Sequence, residues 1–474
     1  LFRSLKKVLD QIGLKSNIHI PSREEGYGLS RYGIDKLISK GCTLIITVDL
    51  GIRNNEEIEY CNGLNVDVIV TDHHIPGEKI PKALAVINPK INTRNAEHFN
   101  LSGAGVVFIL AYGMMNEFPN ITLSFLKWNL DLVAISTISD VVPLTGENRI
   151  IAKYGLIVLG KTKNIGIKYL IEKAKINKLD ISVYDVGFLI SPRINAPGRI
   201  SSPEDSYELL ITSDLERAEA LAEKLDLENN NRQKMMDKLI EDAMIFIENE
   251  SLDKDKIIVL AGNWQKGILG PCASRIAEKY TRPVILFSCI GDEMTGSARS
   301  YSNISIIDII EKSSRYLKKF GGHTGAAGLT LSPNKYINFK KDIINTSEKV
   351  ISDKDLCKKY DIDKEIYISE IDFDLYKNIK EFEPFGIGNP KPIFLSKNVS
   401  FENCKSLGKN GGHLSFLMKQ NEHLIKSIYF NSPVKINEIK KSRNIDVIYS
   451  IDMQTWNGNQ YLQLKVIDID IKKN

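Results

Sequence analysis

Short β-branched apolar runs alternate with polar, helix-forming stretches over the first two hundred residues. Asn17–Ile20 reads as a short strand, and Thr43–Val48 as a clear one that ends at Asp49. Residues 54–62 begin with capping asparagines and continue with helix formers, which predicts a helix. Val66–Val70 is the next β-branched run, and Ala85–Ile87 a further short strand. Strand, helix and strand within about 30 residues make a βαβ unit, so a parallel sheet is expected. Helical patterns follow at about 103–116, 122–139 and 151–160.

Residues 214–249 contain neither Gly nor Pro. Leu215, Ala218, Leu221, Leu225, Met235, Met236, Leu239 and Met244 recur there at helical spacing, which predicts one long connecting helix. Two helices broken near Asn229-Asn230-Asn231 are the alternative. A second α/β domain is expected from the strand Lys256–Leu260 to about residue 348, followed by a polar, lysine-rich stretch over 350–366. Beyond it, Phe394–Phe401, Leu414–Met418, Leu424–Phe430, Ile445–Ile451 and Tyr461–Ile467 alternate in hydrophobicity and suggest a small β-barrel. The expected fold class is therefore α/β: a parallel-sheet domain over 1–205, a connecting helix over 206–250, a second α/β domain over 251–348 and a β-barrel over 349–474.

Composition narrows the class. A chain of 474 residues can bury several cores. Its 43% hydrophobic and 26% charged content is ordinary for water-exposed globular domains. No apolar stretch approaches the ~18–20 residues that span a bilayer. The opening residues, Leu1-Phe2-Arg3-Ser4-Leu5-Lys6-Lys7, are too basic and too briefly apolar for a signal peptide. The six cysteines are scattered without a CxxC pair, which argues against a zinc or disulfide framework and fits a reducing cytoplasm. A net charge of +4 decides little about nucleic acid, because a basic face can hide in a near-neutral total. The chain opens on Leu1 inside an amphipathic helical pattern, so it reads as a piece of a longer protein.

The chemistry concentrates at Thr71-Asp72-His73-His74, directly after a strand. In an open α/β sheet, ligands bind beyond the carboxyl ends of strands. One carboxylate and two imidazoles there suit a transition-metal site with a neighbouring acid or base. A polar turn that happens to hold two of the seven histidines is the plain alternative. Asp49 ends the preceding strand; neighbouring strand ends would lie about 5–10 Å apart, close enough to share metals. Asp140, before the turn that contains Pro143, is a further candidate ligand. Asp131 lies nine residues earlier, about two and a half helical turns, and reads as a cap or surface group. Carboxylates with one imidazole per metal favour Mn²⁺ or Mg²⁺ over zinc. Paired metals of this kind commonly hydrolyse phosphoesters.

Several further blocks carry a family resemblance. Ile20-Pro-Ser-Arg-Glu-Glu-Gly-Tyr-Gly-Leu29, Thr47-Val-Asp-Leu-Gly51, Leu101-Ser-Gly-Ala-Gly105, Thr137-Ile-Ser-Asp-Val-Val-Pro-Leu144 and Pro192-Arg-Ile-Asn-Ala-Pro-Gly-Arg199 resemble segments of the RecJ exonucleases, in the DHH phosphoesterase superfamily. Gly267-Ile-Leu-Gly270, Ala273-Ser-Arg275, Gly296-Ser-Ala-Arg-Ser300 and Gly321-Gly-His-Thr-Gly-Ala-Ala-Gly328 resemble the associated DHHA1 domain. Glu383-Pro-Phe-Gly-Ile-Gly-Asn-Pro390 resembles the lead-in to the family's oligonucleotide-binding (OB-like) barrel. Order and spacing agree along essentially the whole chain.

The resemblance implies 5′→3′ hydrolysis of single-stranded DNA to mononucleotides, in repair and recombination. It implies Asp49, His73 and Asp140 as metal ligands, and two Mn²⁺ or Mg²⁺ ions in a full-length protein. Asp72 would orient an imidazole and His74 would bind the scissile phosphate or move a proton. Ser297, Arg299, His323, Gly321, Gly322 and Arg275 match a phosphate-handling face; Arg193, Asn195 and Arg199 would line the cleft opposite. Physics agrees with the glycine-rich blocks, since small residues let backbone N–H groups approach a phosphate while Arg clamps it. Structural ion pairs remain open for Arg193 and Arg199, and core packing remains open for Trp264. Half of the barrel aromatics, Phe394, Phe401, Phe416, Tyr429, Phe430, Tyr449, Trp456 and Tyr461, are expected to be core and the rest available for base stacking.

One departure matters. The family carries an Asp-x-Asp motif ahead of the point where this chain opens, and two further ligands would come from it. The expectation is a nuclease parent and weak or no activity from this chain alone. Single-stranded DNA is the implied partner, with a single-strand-binding protein or a helicase as candidate protein partners, a monomeric state and no membrane. Two other readings stay open: a phosphodiesterase of cyclic dinucleotides or very short oligonucleotides, against which the 350–474 region argues, and a non-catalytic single-strand-binding scaffold.

Overall fold

The computed structural model describes residues 2–21, 25, 28–91, 99–200, 202–408, 411–434, 436–441 and 445–471; the side chains of Phe2, Arg199, Ile200, Glu438, Lys440, Lys441 and Trp456 are outside that description. Helices α1 (Phe2–Gln11) and α2 (Arg31–Ile38) precede β1 (Leu44–Val48), α3 (Asn55–Gly63), β2 (Asp67–Thr71) and β3 (Ala85–Ile87). The three strands pair in parallel in the order β1-β2-β3, with Val48 opposite Thr71 and Thr71 opposite Ile87, so their carboxyl ends are level. Ile34, Ile45, Ile58, Cys61, Val66, Val68 and Val70 form the core beneath. Asn17–Ile20 is not a strand: His19 reaches Glu25 at 2.9 Å and lies over Gly33, and these local side-chain contacts hold the segment without a ladder.

Helices α4 (Gly103–Met114), α5 (Leu123–Trp128), α6 (Leu130–Ser139), α7 (Gly146–Gly160) and α8 (Ile165–Lys173) cover the sheet and extend the domain. The single helix expected over 122–139 is two, α5 and α6. Asn129 separates them: its amide donates to the Phe125 carbonyl at 2.9 Å while its Oδ1 accepts from Lys7 at 2.9 Å, a local alternative to helix continuation. Helix α7 starts five residues before the periodic pattern, because its first turn is polar. Asp131 is not a surface group. It is buried in the first turn of α6, where Oδ2 accepts from the Thr162 hydroxyl at 2.5 Å.

A six-residue π-helix (Asp185–Ile190) leads into α9 (Ser191–Asn195), α10 (Pro197–Ile200), α11 (Glu204–Ile211) and α12 (Leu215–Glu250). The last is one continuous helix of 36 residues, about 54 Å long at the α-helical rise. It passes through Asn229-Asn230-Asn231 unbroken because their polar groups bond within it: Asn229 accepts from Arg232 at 2.8 Å and Asn230 donates to Asp226 at 3.1 Å. Its first half packs Leu221, Ala222 and Leu225 against Leu170 and Leu209; its second half packs Met236, Leu239, Ala243 and Ile247 into the next core.

That second core surrounds β4 (Ile258–Gly262), α13 (Leu269–Tyr280), β5 (Val284–Ser288), β6 (Met294–Arg299), α14 (Ile306–Lys312), β7 (Lys319–His323), β8 (Ala326–Leu331) and α15 (Tyr336–Val350). The sheet order is β4-β5-β6-β8-β7; β4 and β5 are parallel and the remaining pairs antiparallel. Trp264 is core, stacked over Gly262, and offers no platform.

The third region comprises β9 (Lys364–Glu365), α16 (Phe373–Lys380), β10 (Phe394–Leu407), β11 (His413–Gln420), β12 (His423–Tyr429), α17 (Ile436–Lys441), β13 (Ile445–Trp456) and β14 (Asn459–Ile471). Strands β10, β11, β12, β14 and β13 pair in a ring that closes, with β12 and β14 parallel, as in an OB-like barrel. Phe394, Phe416, Tyr429 and Tyr449 fill it, Phe401 stacks on Phe416, and Phe430 and Tyr461 face solvent. Trp456 lies outside the described side chains. Among the described residues no helix is long and apolar enough to cross a membrane. All six cysteines are free thiols.

Helix α7 lies close on α6 because Gly155 leaves room for Ala134 and the Leu130 carbonyl. Gly155→Ala is expected to force the helices apart and cost about 1–3 kcal/mol. A thermal melt should show a lower midpoint of the first transition, and an unchanged melt would refute that packing constraint.

Candidate active site

The site is built on the level ends of β1 and β2. Asp49, one residue past β1, sits in the left-handed region at φ 65°, a conformation that Asp tolerates better than most residues and that is enriched at functional positions. Its amide donates to the Thr71 carbonyl at 2.9 Å, which ties the two strand ends together. Gly51, at φ +112°, completes the turn; a side chain there would collide with Thr47. The turn then presents the Ile52 amide to Asp72 Oδ2 at 3.0 Å.

Asp72 is 1% exposed. Its Oδ1 accepts from the amides of His73 and His74, at 2.7 and 3.1 Å, and lies 2.7 Å from His74 Nδ1. Burial alone would raise its pKa; the hydrogen bonds from His74 and from the Ile52 and His74 amides outweigh that and hold the carboxyl below its ordinary value. The same contact raises the His74 imidazole above its ordinary range, against the opposing effect of burial. Because the ionised Asp72 can only accept, Nδ1 of His74 carries the hydrogen. Asn88, at the end of β3, donates to the His74 carbonyl at 2.9 Å and fixes the backbone.

His73 is oriented differently. Its Nδ1 lies 2.9 Å from the Leu101 carbonyl, so that nitrogen is the donor. Nε2 then carries a lone pair, and it points at Asp49 Oδ1 from 3.0 Å. Asp49 Oδ1 is buried and accepts no hydrogen bond from the described residues. A neutral ring would place two acceptors at hydrogen-bond distance, an arrangement that either a proton on Nε2 or a divalent cation relieves. Ligand atoms of Asp49, His73 and His74 all lie within 4.8 Å of one another. A carboxylate with imidazoles, one of them held by a backbone carbonyl on its far nitrogen, is a donor set that fits a divalent transition metal.

Asp140 caps the C-terminus of α6 and adjoins this group. Burial and the charge of Asp49 raise its carboxyl above the ordinary range, and His73 and a hydrogen bond from Ser136 at 3.3 Å partly oppose the rise. Val141, directly after it, is held at φ 56°, a rare state for a β-branched residue. Beyond Val141 opens a cleft of about 400 Å³. Ile138 and Phe188 form its apolar side, and Ser191, Asn195 and Arg232 its polar side.

The remaining candidates divide. Asn195 lines this cleft. Arg193 does not reach it with its charge, since Nε pairs with Asp226 of α12 at 2.8 Å and Nη1 donates to the Leu189 carbonyl. The side chain of Arg199 lies outside the described residues. Arg299 ends β6, donates to Ser297 at 3.2 Å and lies against Gly270 in the first turn of α13. His323 ends the exposed strand β7 and accepts from the Gly325 amide at 3.1 Å. Gly322 leaves space for the backbone at Ala326, whereas Gly321 faces open space. Arg275 turns towards α12 and pairs with Asp237 at 3.5 Å, on an exposed face separate from Arg299.

Sequence reasoning marked Leu101–Gly105 only as a family block and gave no role to the residues that aim the imidazole and seat the carboxylate. Ser102 caps α4 by accepting from the Gly105 amide, and this places the Leu101 carbonyl on His73. Gly103 lies so close to Asp49 that a Cβ would stand 2.5 Å from Oδ1. The signal was present: Ser-Gly-Ala-Gly before an apolar run is a helix start. Nothing in the sequence tied that start to Asp49. Ile52, Asn88 and Arg232 were likewise unmarked.

Comparisons with known proteins fit this architecture. Residues 2–137 match the DHH family N-terminal domain, 254–349 the DHHA1 domain and 362–468 the RecJ OB domain. The three domains in this order define a DHH-type protein with a DHHA1 partner domain and a nucleic-acid-type barrel. The single-stranded-DNA-specific exonuclease RecJ of Bacillus subtilis is 31% identical over 98% of this chain, which spans 59% of that relative's length. The Escherichia coli exonuclease of the same name is 31% identical over 95% of this chain and 81% of its own. The crystal structure of Thermus thermophilus RecJ in complex with Mn²⁺ superposes with a TM-score of 0.85 at 26% identity, over 100% of this chain and 67% of that one. The chain belongs to the RecJ family.

The Asp72–His74 contact has a measurable consequence. A raised His74 pKa means that the protonated imidazole stabilises the fold below its ordinary range, and the contribution is lost as pH rises through the raised value. In metal-free protein, Asp72→Asn is expected to bring the His74 titration, followed by NMR, back down in pH. An unmoved titration would show that the carboxylate does not set it.

Proposed function

We propose that this chain is the nuclease core of a metal-dependent exonuclease that removes mononucleotides from the 5′ end of single-stranded DNA. The observation that carries the reading is the convergence of Asp49 Oδ1 and His73 Nε2 at 3.0 Å, with a His74 nitrogen within 4.8 Å of both. Two similar proteins bear the name single-stranded-DNA-specific exonuclease, and one was crystallised with Mn²⁺. Asp49, His73 and Asp140 would hold Mn²⁺ or Mg²⁺. When bound, such an ion supplies charge neutralisation at a phosphate and activation of water.

The chain's own residues supply the rest. Asp72 holds the His74 ring through Nδ1, so His74 meets the substrate in a fixed orientation and offers a hydrogen bond or proton to a phosphate oxygen from Nε2. Leu101 performs the same service for His73. Arg299, braced by Ser297 and seated on Gly270, binds phosphate as a bidentate clamp, with His323 nearby on the same sheet. The cleft beyond Val141 offers an apolar wall for bases and the hydrogen-bonding groups of Ser191 and Asn195 for the backbone. Phe430 and Tyr461 on the barrel give solvent-facing rings on which unpaired bases stack.

The decisive experiment incubates the full-length protein, as the cell makes it, with Mn²⁺ and a 3′-labelled single strand of about 30 nucleotides, beside a blunt duplex; strand-binding modules occupy about 4–16 nucleotides, so this length is sufficient. Loss of the single strand alone, from its 5′ end, is expected. His74→Ala should reduce the rate by about 10²-fold or more. Tight binding without turnover would favour a scaffold, and cleavage confined to di- to tetranucleotides would favour a small-substrate phosphodiesterase. Gly103→Ala should displace Asp49 without unfolding α4 and weaken Mn²⁺ binding by about 10–100-fold, read by calorimetry. Unchanged affinity would remove Asp49 from the ligand set.

A further inference from the structure

The chain leaving β3 runs beside the two histidines. Thr71 stands opposite Ile87 in the ladder, and the Asp72 amide donates to the Ile87 carbonyl at 3.1 Å. Pro89 restricts Asn88 to extended backbone, so the chain continues along Asp72 before it turns. Asn88 then ties the two segments together. Its Nδ2 donates to the His74 carbonyl at 2.9 Å, and its Oδ1 accepts from the Lys90 amide at 2.8 Å. One carboxamide thus spans His74 and Lys90. The Ile91 amide closes the turn on the Asn88 carbonyl at 3.2 Å. Lys90 is thereby fixed on the β3 side of the site.

Lys90 is half-buried there. Among the described residues no carboxylate forms an ion pair with it, and its ammonium stands 5.8 Å from the centroid of the Phe99 ring, a weak contact. Asp72 is the carboxylate whose charge it feels, and His74 feels Lys90 in turn. Asp72, however, already receives three amides and the His74 ring. Burial outweighs its attraction and holds the ammonium below its ordinary pKa. A partly desolvated cation whose three donors are not met by carboxylates is stabilised by an anion. A divalent metal is not that partner, since like charges repel and a protonated lysine has no lone pair to offer. A phosphate has the opposite charge and oxygens that accept from Nζ, and it fits the place where His74 and the Asp49–His73 pair converge.

We propose that Lys90 is a further phosphate-binding residue of this site, its ammonium donating to a non-bridging oxygen of the phosphate that His74 meets. The inference rests on the phosphoester reading of the site. The test titrates dTMP into the full-length protein with Mn²⁺ present, by calorimetry, with thymidine as the control that lacks only the phosphate. Lys90→Gln should weaken dTMP about tenfold, the worth of one charge-assisted hydrogen bond. Lys90→Arg keeps the charge with a different donor geometry and should lose no more than about threefold. Thymidine should not distinguish the three proteins, and Mn²⁺ affinity, measured separately, should not weaken in either variant. On the labelled single strand, kcat/KM of Lys90→Gln should fall about tenfold, with recovery in Lys90→Arg. Equal dTMP affinity in the parent and Lys90→Gln would overturn the inference. So would a loss shared by thymidine, or weakened Mn²⁺ binding. A loss confined to kcat would also overturn it, because Lys90 would then act through His74 alone. Binding of dTMP needs no turnover, so Lys90-dependent binding by a protein that leaves the strand intact would uphold the inference and defeat the exonuclease reading.

Discussion

One buried carboxylate organises the site. Asp72 receives the amides of Ile52, His73 and His74 and the His74 ring. A buried carboxylate without such partners would be driven to its neutral form. With them it stays ionised and locks three things at once: the turn after β1, the path of the chain after β2, and the rotamer of one imidazole. The second imidazole is locked by the start of α4. The result is a pair of rings, 4.6 Å apart and inclined at 63°, each held through its Nδ1. Rigid placement of this kind lets a polar site act without reorganising around its substrate.

The supporting structure keeps that geometry in place. Parallel pairing levels the ends of β1, β2 and β3, so ligands on different strands converge without long loops. Glycines at 51 and 103 allow the backbone to come within contact of Thr47 and Asp49. The barrel is tied in close by: the Leu144 amide donates to the Ile387 carbonyl at 2.6 Å, and Gly386 and Gly388 pack on Leu144 and Pro143. That junction stands only four residues from Asp140.

Much of this was legible in the residues, and what was not has a common cause. Strands β1 to β3 announced themselves by β-branched runs, the barrel by alternation, and α12 by periodicity without Gly or Pro. The Asp72-His73-His74 group was visible because it follows a strand directly. Asn17–Ile20 misled because apolar content alone does not supply a pairing partner. The break at Asn129 was hidden because it depends on Lys7, more than a hundred residues away. Asp131, read as a cap or surface group, does stand in the first turn of α6, but its burial was hidden for the same reason, since its partner Thr162 is distant in sequence. Arg193 and Arg275 matched family blocks, yet both turn to carboxylates on α12. Local signals read elements well; they do not report which distant side chain will claim a charge.

The unbroken helix α12 carries a mechanical implication. Leu221 and Leu225 belong to one core, Met236 and Leu239 to the next, and no flexible joint separates them. Bending an α-helix requires stretching its backbone hydrogen bonds, so the helix acts as a stiff beam between two foundations. The two cores are therefore held at one spacing, like feet bolted to a solid bar, and neither can shift without carrying the other.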